Sequence, residues 1–116
     1  MSTNKSNPSA AQRVTNVEYL KLYDTYQQNI TTTAQTFEEL FGEALQDNVG
    51  MVEVLNNSGT SIYFGNGTTS TVTTSKGSEL PTARTYAFYG RKDELDEIKL
   101  IAGSSLSVSF IQNTSI

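Results

Sequence analysis

Ser105-Leu106-Ser107-Val108-Ser109-Phe110-Ile111 alternates hydroxyl and apolar side chains as far as Phe110, the period of a strand that buries one face and wets the other. Leu106, Val108 and Phe110 are therefore expected to point into a core, with Ser105, Ser107 and Ser109 outside. The same period of two runs back through the chain to Val49. Met51-Val52-Glu53-Val54-Leu55 and Ser61-Ile62-Tyr63-Phe64, separated by the turn-forming Asn56-Asn57-Ser58-Gly59, predict a hairpin. Gly65-Asn66-Gly67 breaks the second strand, and Thr71-Val72-Thr73-Thr74 predicts a short third, ended by Ser75-Lys76-Gly77.

Glu79-Leu80-Pro81 leads into Arg84-Thr85-Tyr86-Ala87-Phe88-Tyr89, where Tyr86 and Phe88 share one face. A charged loop from Arg91 to Glu97 precedes Ile98-Lys99-Leu100-Ile101, and Ala102-Gly103-Ser104 supplies a tight turn. Six short strands at close intervals predict a small antiparallel β-sandwich or flattened barrel over residues 49–116.

Ahead of this domain the period changes. Residues 1–13 are small, polar and Pro-containing, and carry too little apolar surface to offset ordering entropy, so a flexible arm is expected. Thr15 with Glu18 has capping-box spacing, and Val17, Leu20, Tyr23, Tyr26 or Gln27 and Ile30 recur at three and four residues, which predicts a helix. After Thr31-Thr32-Thr33, a second capping box (Thr36 with Glu39) opens a helix with Phe37, Leu40, Phe41, Ala44 and Leu45 on its apolar face, stopping near Asn48. Leu20, Tyr23, Gln27, Ile30, Ala34, Phe37, Phe41 and Ala44 equally fit one long helix with a coiled-coil seam. The expected class is thus mainly β with N-terminal helices (α+β), in three parts: an arm (1–13), a helical docking and oligomerisation segment (14–48) and a β-sandwich (49–116). Val17, Leu20, Tyr23, Ile30, Phe37 and Phe41 are the candidate interface, a seam that a threefold arrangement would bury.

Composition narrows the chemistry. The chain holds no Cys, no His and no Trp, so disulfides, thiolate nucleophiles, histidine general bases and the usual zinc ligands are excluded. No enzyme activity, catalytic residue, cofactor or metal is expected. The acidic cluster Asp93, Glu94, Asp96 and Glu97 lacks the spacing of a calcium loop and reads as a solvated turn. Gly65-Asn66-Gly67 is followed by neither Gly-Lys-Ser/Thr nor a helix, so it is a turn and no phosphate cradle. Tyr19, Tyr23 and Tyr26 have too few basic neighbours to serve as a base-stacking surface, and with 17 % charged residues and a net charge of −4 no nucleic-acid partner is expected. The polar start, Met1 to Pro8, predicts neither a signal peptide nor a membrane span. Four sequons, at Asn29, Asn56, Asn66 and Asn113, carry no weight in a chain this rich in Asn, Ser and Thr.

The order of features in residues 49–113 resembles a small β-sandwich module of tailed-bacteriophage virion proteins, of the head-decoration (cement) and head-fibre type. The similarity lies in Val52-Glu53-Val54-Leu55-Asn56-Asn57, Ser61-Ile62-Tyr63-Phe64-Gly65 and a Thr/Ser-rich loop, then Lys76-Gly77-Ser78-Glu79-Leu80. It continues in an acidic turn into Asp96-Glu97-Ile98-Lys99-Leu100-Ile101-Ala102-Gly103 and a last strand Leu106 to Phe110. This chain carries Arg91-Lys92-Asp93-Glu94 where the pattern has a plainer strand and turn. The resemblance implies a non-enzymatic building block, often a homotrimer, fixed to the major capsid protein or other virion proteins by its N-terminal segment. It would be assembled in the host cytoplasm, without nucleic-acid or membrane contact. Two other roles suit the same features: a head-tail connector or tail-completion protein, and a host-surface glycan-binding module reading through Asn56–Gly59 and Gly65–Ser70.

Overall fold

Ten elements follow one another in the computed structural model, which describes residues 19–68 and 70–116. They are β1 (Leu20–Ile30), β2 (Gln35–Thr36), α1 (Phe37–Phe41), β3 (Val49–Asn56), β4 (Ile62–Asn66), β5 (Ser78–Leu80), β6 (Arg84–Tyr89), α2 (Lys92–Leu95), β7 (Ile98–Ala102) and β8 (Leu106–Ser115). The strands form two four-stranded antiparallel sheets, ordered β1-β8-β3-β6 and β2-β7-β4-β5. The pairs β1–β8, β2–β7, β3–β6 and β4–β5 are nested like one long hairpin, and β8–β3 and β7–β4 close it on itself. That connectivity is a jelly roll.

Inward positions follow from the alternation. On β3, Val52, Val54 and Asn56 are buried, and opposite them on β8 lie the buried Val108, Phe110 and Gln112. On β6, Phe88 and Tyr86 share the inner face as expected, although Tyr86 sits at the rim with its ring against Phe64 and Phe88. Phe37 anchors the middle, edge-on to both Phe88 and Phe110 at centroid distances of 5.6 and 6.3 Å. Burying such side chains is worth roughly 2–3 kcal/mol each before entropy is counted, so this cluster dominates the fold's stability.

The helix expected over residues 14–30 is corrected in its described part: Leu20–Ile30 is a strand. Val14 to Glu18, and with them Val17, lie outside the described residues, as does the arm. The coiled-coil seam is overturned with the helix. Local periodicity lost to pairing, because β8 without β1 would leave a ten-residue central strand as an edge, and Tyr, Thr and Ile suit a pleated ladder. The second helix exists only as α1. Its capping box forms as expected, Thr36 Oγ1 accepting from Glu39 N (3.2 Å) and Glu39 Oε1 from Thr36 N (2.9 Å). It stops at Gly42, which adopts φ 75° and donates to Glu38 O, a left-handed cap that only Gly adopts cheaply. Residues 20–48 consequently belong to the sandwich and are no separate helical segment.

Two further expectations change. β3 and β4 form no hairpin, since they lie in different sheets and the Asn56–Gly59 turn carries the chain across. Asn56 makes that crossing, its amide donating to Thr60 O and Leu80 O (both 2.9 Å) and its Oδ1 accepting from Ser58. Thr71–Thr74 is irregular, although Val72 is buried. Thr73 takes up turn bonds instead, its carbonyl accepting from Lys76 N and Gly77 N.

Candidate interaction surface

Once Val52 and Val54 face inward, Met51, Glu53 and Leu55 must face outward, and the register extends that outer face over all four strands of the first sheet. Three rows result. Leu22, Asn113, Met51 and Tyr89 stand side by side. Thr25, Ile111, Glu53 and Ala87 form the next row, and Gln27, Ser109, Leu55 and Thr85 the third. Leu22 (59 % exposed) and Tyr89 (56 %) flank the first row, and Tyr23 (44 %) stands beside it, in the bulge where the register shifts between Leu22 and Asp24. Glu53 is the one carboxylate or cation in these rows, and it accepts from Asn113 Nδ2 at 3.4 Å. Leu22 and Tyr89 are thus large apolar side chains exposed on a face whose other exposed positions are polar.

Leu20 reaches the same end of the sheet by lying over Gly50. A Cβ on Gly50 would sit 2.6 Å from Leu20 Cδ2, so the side chain packs on bare backbone at the second bulge, between Val49 and Met51.

The six candidate interface residues therefore part company. Ile30, Phe37 and Phe41 are buried in the chain's own core and unavailable for docking, because the strand turns Ile30 inward and the capped turn drives both Phe rings between the sheets. Leu20 is half-buried and Tyr23 exposed, both at the edge of the apolar row. Val17 lies outside the described residues. Met51, Tyr89 and Ile111 escaped the sequence argument, although alternation from Val52 was a signal sufficient to place Met51 outside.

Behind the face a polar relay runs from the exposed Glu43 to the buried Gln112. Tyr26 Oη donates to Glu43 Oε2 (3.0 Å) and accepts from Gln112 Nε2 (2.9 Å), while Gln112 Oε1 accepts from Gln46 N (2.8 Å). Burial, reinforced by the Glu43 carboxylate, holds the Tyr26 phenol far above its usual pKa, so it stays neutral.

In the loops that would read a glycan, the side chains of Asn56, Ser58, Asn66 and Thr68 bond to the chain itself. Asn56 is buried and bonded as above. Asn66 donates to Glu97 Oε1 (2.9 Å) and accepts from Thr68 N and Oγ1 (2.9 and 2.7 Å). The acidic turn is α2 and its flank: Arg91 meets Asp93 (3.4 Å) and Glu94 (3.9 Å), and Lys92 Nζ donates to Asp96 Oδ2 (2.9 Å). The Asp96 contact raises the Lys92 pKa. Among the described residues no group of three or more His, Cys, Asp or Glu is placed to hold a metal ion, and no helix is long and apolar enough to cross a membrane.

Compared with known proteins, the chain matches no family model, no curated protein and no solved structure.

Proposed function

We propose that this chain is a non-enzymatic structural protein of a virion, a capsid-decoration, cement or head-fibre component of a tailed bacteriophage. In this reading it is a homotrimer seated on the major capsid protein through its N-terminal segment, with the jelly roll projecting. The observation that carries it is the outer face of the first sheet, where Leu22, Tyr23 and Tyr89 present apolar surface around the buried Met51. Such a face suits contact with protein better than chemistry or water. The feature order of β3, β4, β7 and β8 and a composition without Cys or His support the same reading. Small contacts of this kind, repeated symmetrically on a shell, add by avidity.

Quantifying the chain in purified particles tests it. Decoration requires on the order of hundreds of copies, from the symmetry of closed shells, and a ring-shaped connector on the order of a dozen. A count near a dozen replaces decoration by the connector role, and absence from particles overturns the virion assignment.

A further inference from the structure

β1 is an edge strand eleven residues long, hydrogen-bonded to β8 along one side and to no strand of the described residues along the other. About half of its backbone N–H and C=O groups therefore point outward, which invites another strand. The two halves of this edge differ. Its beginning carries the usual protections, the charges of Lys21 and Asp24 and the bulge at Tyr23. Thr25-Tyr26-Gln27-Gln28-Asn29 has no charge, no Pro and no bulge.

A groove runs beside that unprotected half, lined by Gln27, Gln28, Asn29, Thr31, Gln35 and Glu39. Carboxamides donate and accept at once, which suits a polypeptide backbone and small hydroxyl side chains. Glu38, Glu39 and Glu43, on and just after α1, make this flank acidic.

We propose that residues 1–13 of one copy add as a strand to the free edge of β1 of a second copy, along Thr25–Asn29. This deepens the assembly role above and rests on it: residues 1–13 join copies, which leaves the exposed Leu22 and Tyr23 of the N-terminal segment to meet the capsid. Charge favours that occupant: residues 1–18 hold Lys5 and Arg13 against Glu18 alone, whereas residues 19–116 hold six Lys and Arg against eleven Asp and Glu. Composition favours it as well, since Ser2-Thr3-Asn4-Lys5-Ser6-Asn7 offers little to bury and must bind through its main chain, as added strands do. Eighteen extended residues reach up to about 60 Å, enough to arrive at a neighbour. A donor segment on one surface and an acceptor edge on another make a heterologous contact, which closes as a ring and so accommodates a trimer.

The absence of Cys makes the test direct. Full-length chain carrying Ser9→Cys is mixed with full-length chain carrying Gln27→Cys and oxidised. The expected product is a disulfide-linked pair containing one of each, and the doubly substituted chain should yield a ladder of cross-linked oligomers. Cross-linking only within single chains, or none, overturns the proposal. Sedimentation of full-length chain with Gln27→Lys and Asn29→Lys, which guard the edge without touching the core, should show self-association weakened at least tenfold with thermal unfolding unchanged. Undiminished association in that variant overturns strand addition while leaving the assembly role standing. A full-length chain that is monomeric at every concentration and absent from particles removes both.

Discussion

The ring of Tyr26 lies flat on that of Phe41, with centroids 3.9 Å apart and planes 4° from parallel. This contact joins β1 to the end of α1, and the same tyrosine bonds Glu43 and Gln112. Aromatic quadrupoles favour offset or edge-on geometry, so the contact draws its strength mainly from buried area. Tyr26→Phe keeps the stack but leaves the fully buried Gln112 amide without its acceptor, and should lower unfolding free energy by about 1–2 kcal/mol in urea titrations. Tyr26→Ala removes both and should cost roughly 3–5 kcal/mol.

The same phenol gives an alkaline signature. Its folded pKa lies above the ordinary 10.0, so the stability it contributes is complete below pH 10 and is lost as pH rises from there toward the folded value. Absorbance titration of the six tyrosines should show one delayed ionisation, and Tyr26→Phe should abolish that step.

Glu39 provides the acid counterpart. Its bond from the Thr36 amide, foremost, holds its carboxyl below the usual 4.5, so its contribution is present above pH 4.5 and is lost as pH falls through the folded value. Thermal midpoints measured from pH 6 to pH 3 should fall less steeply for Glu39→Gln than for the natural chain.

Ala83 adopts φ 63°, a left-handed conformation costly for any residue with a Cβ, and donates to Asn56 O. Ala83→Gly should raise stability by about 0.5–1 kcal/mol, and Ala83→Val should lower it by more than about 1 kcal/mol in the same denaturation assay.

Leu22 and Tyr89 are exposed and contribute little to the core. Replacing both by Ser should change unfolding free energy by no more than about 0.5 kcal/mol each. If the proposed virion role holds, binding to particles should weaken at least tenfold; unchanged binding would assign docking to another surface.

Much of the β-domain was legible because its signal is local: Leu106, Val108 and Phe110 alternate inward as the hydroxyl pattern demands, and Thr36 with Glu39 forms its capping box. β1 was misread for a physical reason. The bulge at Tyr23 inserts one residue into the alternation, so Tyr23 and Tyr26 stand three apart while Tyr26 and Ile30, on one strand face, stand four apart, and that spacing imitates helical turns. Strand partners were hidden for another reason. Only β4 and β5 are both consecutive in the chain and neighbours in a sheet, so every other pairing is set by distant residues. The outer apolar row shares that cause, since Leu22, Met51 and Tyr89 meet only through register.

β8, the last element of the fold, lies between β1 and β3. On a ribosome adding 5–20 residues per second, Ile30 emerges roughly 4–17 s before Ser115. Throughout that interval β1 and β3 lack the strand that joins them, so the first sheet closes only once Leu106–Ser115 has been made. Nascent-chain proteolysis should accordingly find β1 and β3 sensitive while β8 is still inside the ribosome and resistant once β8 has left it.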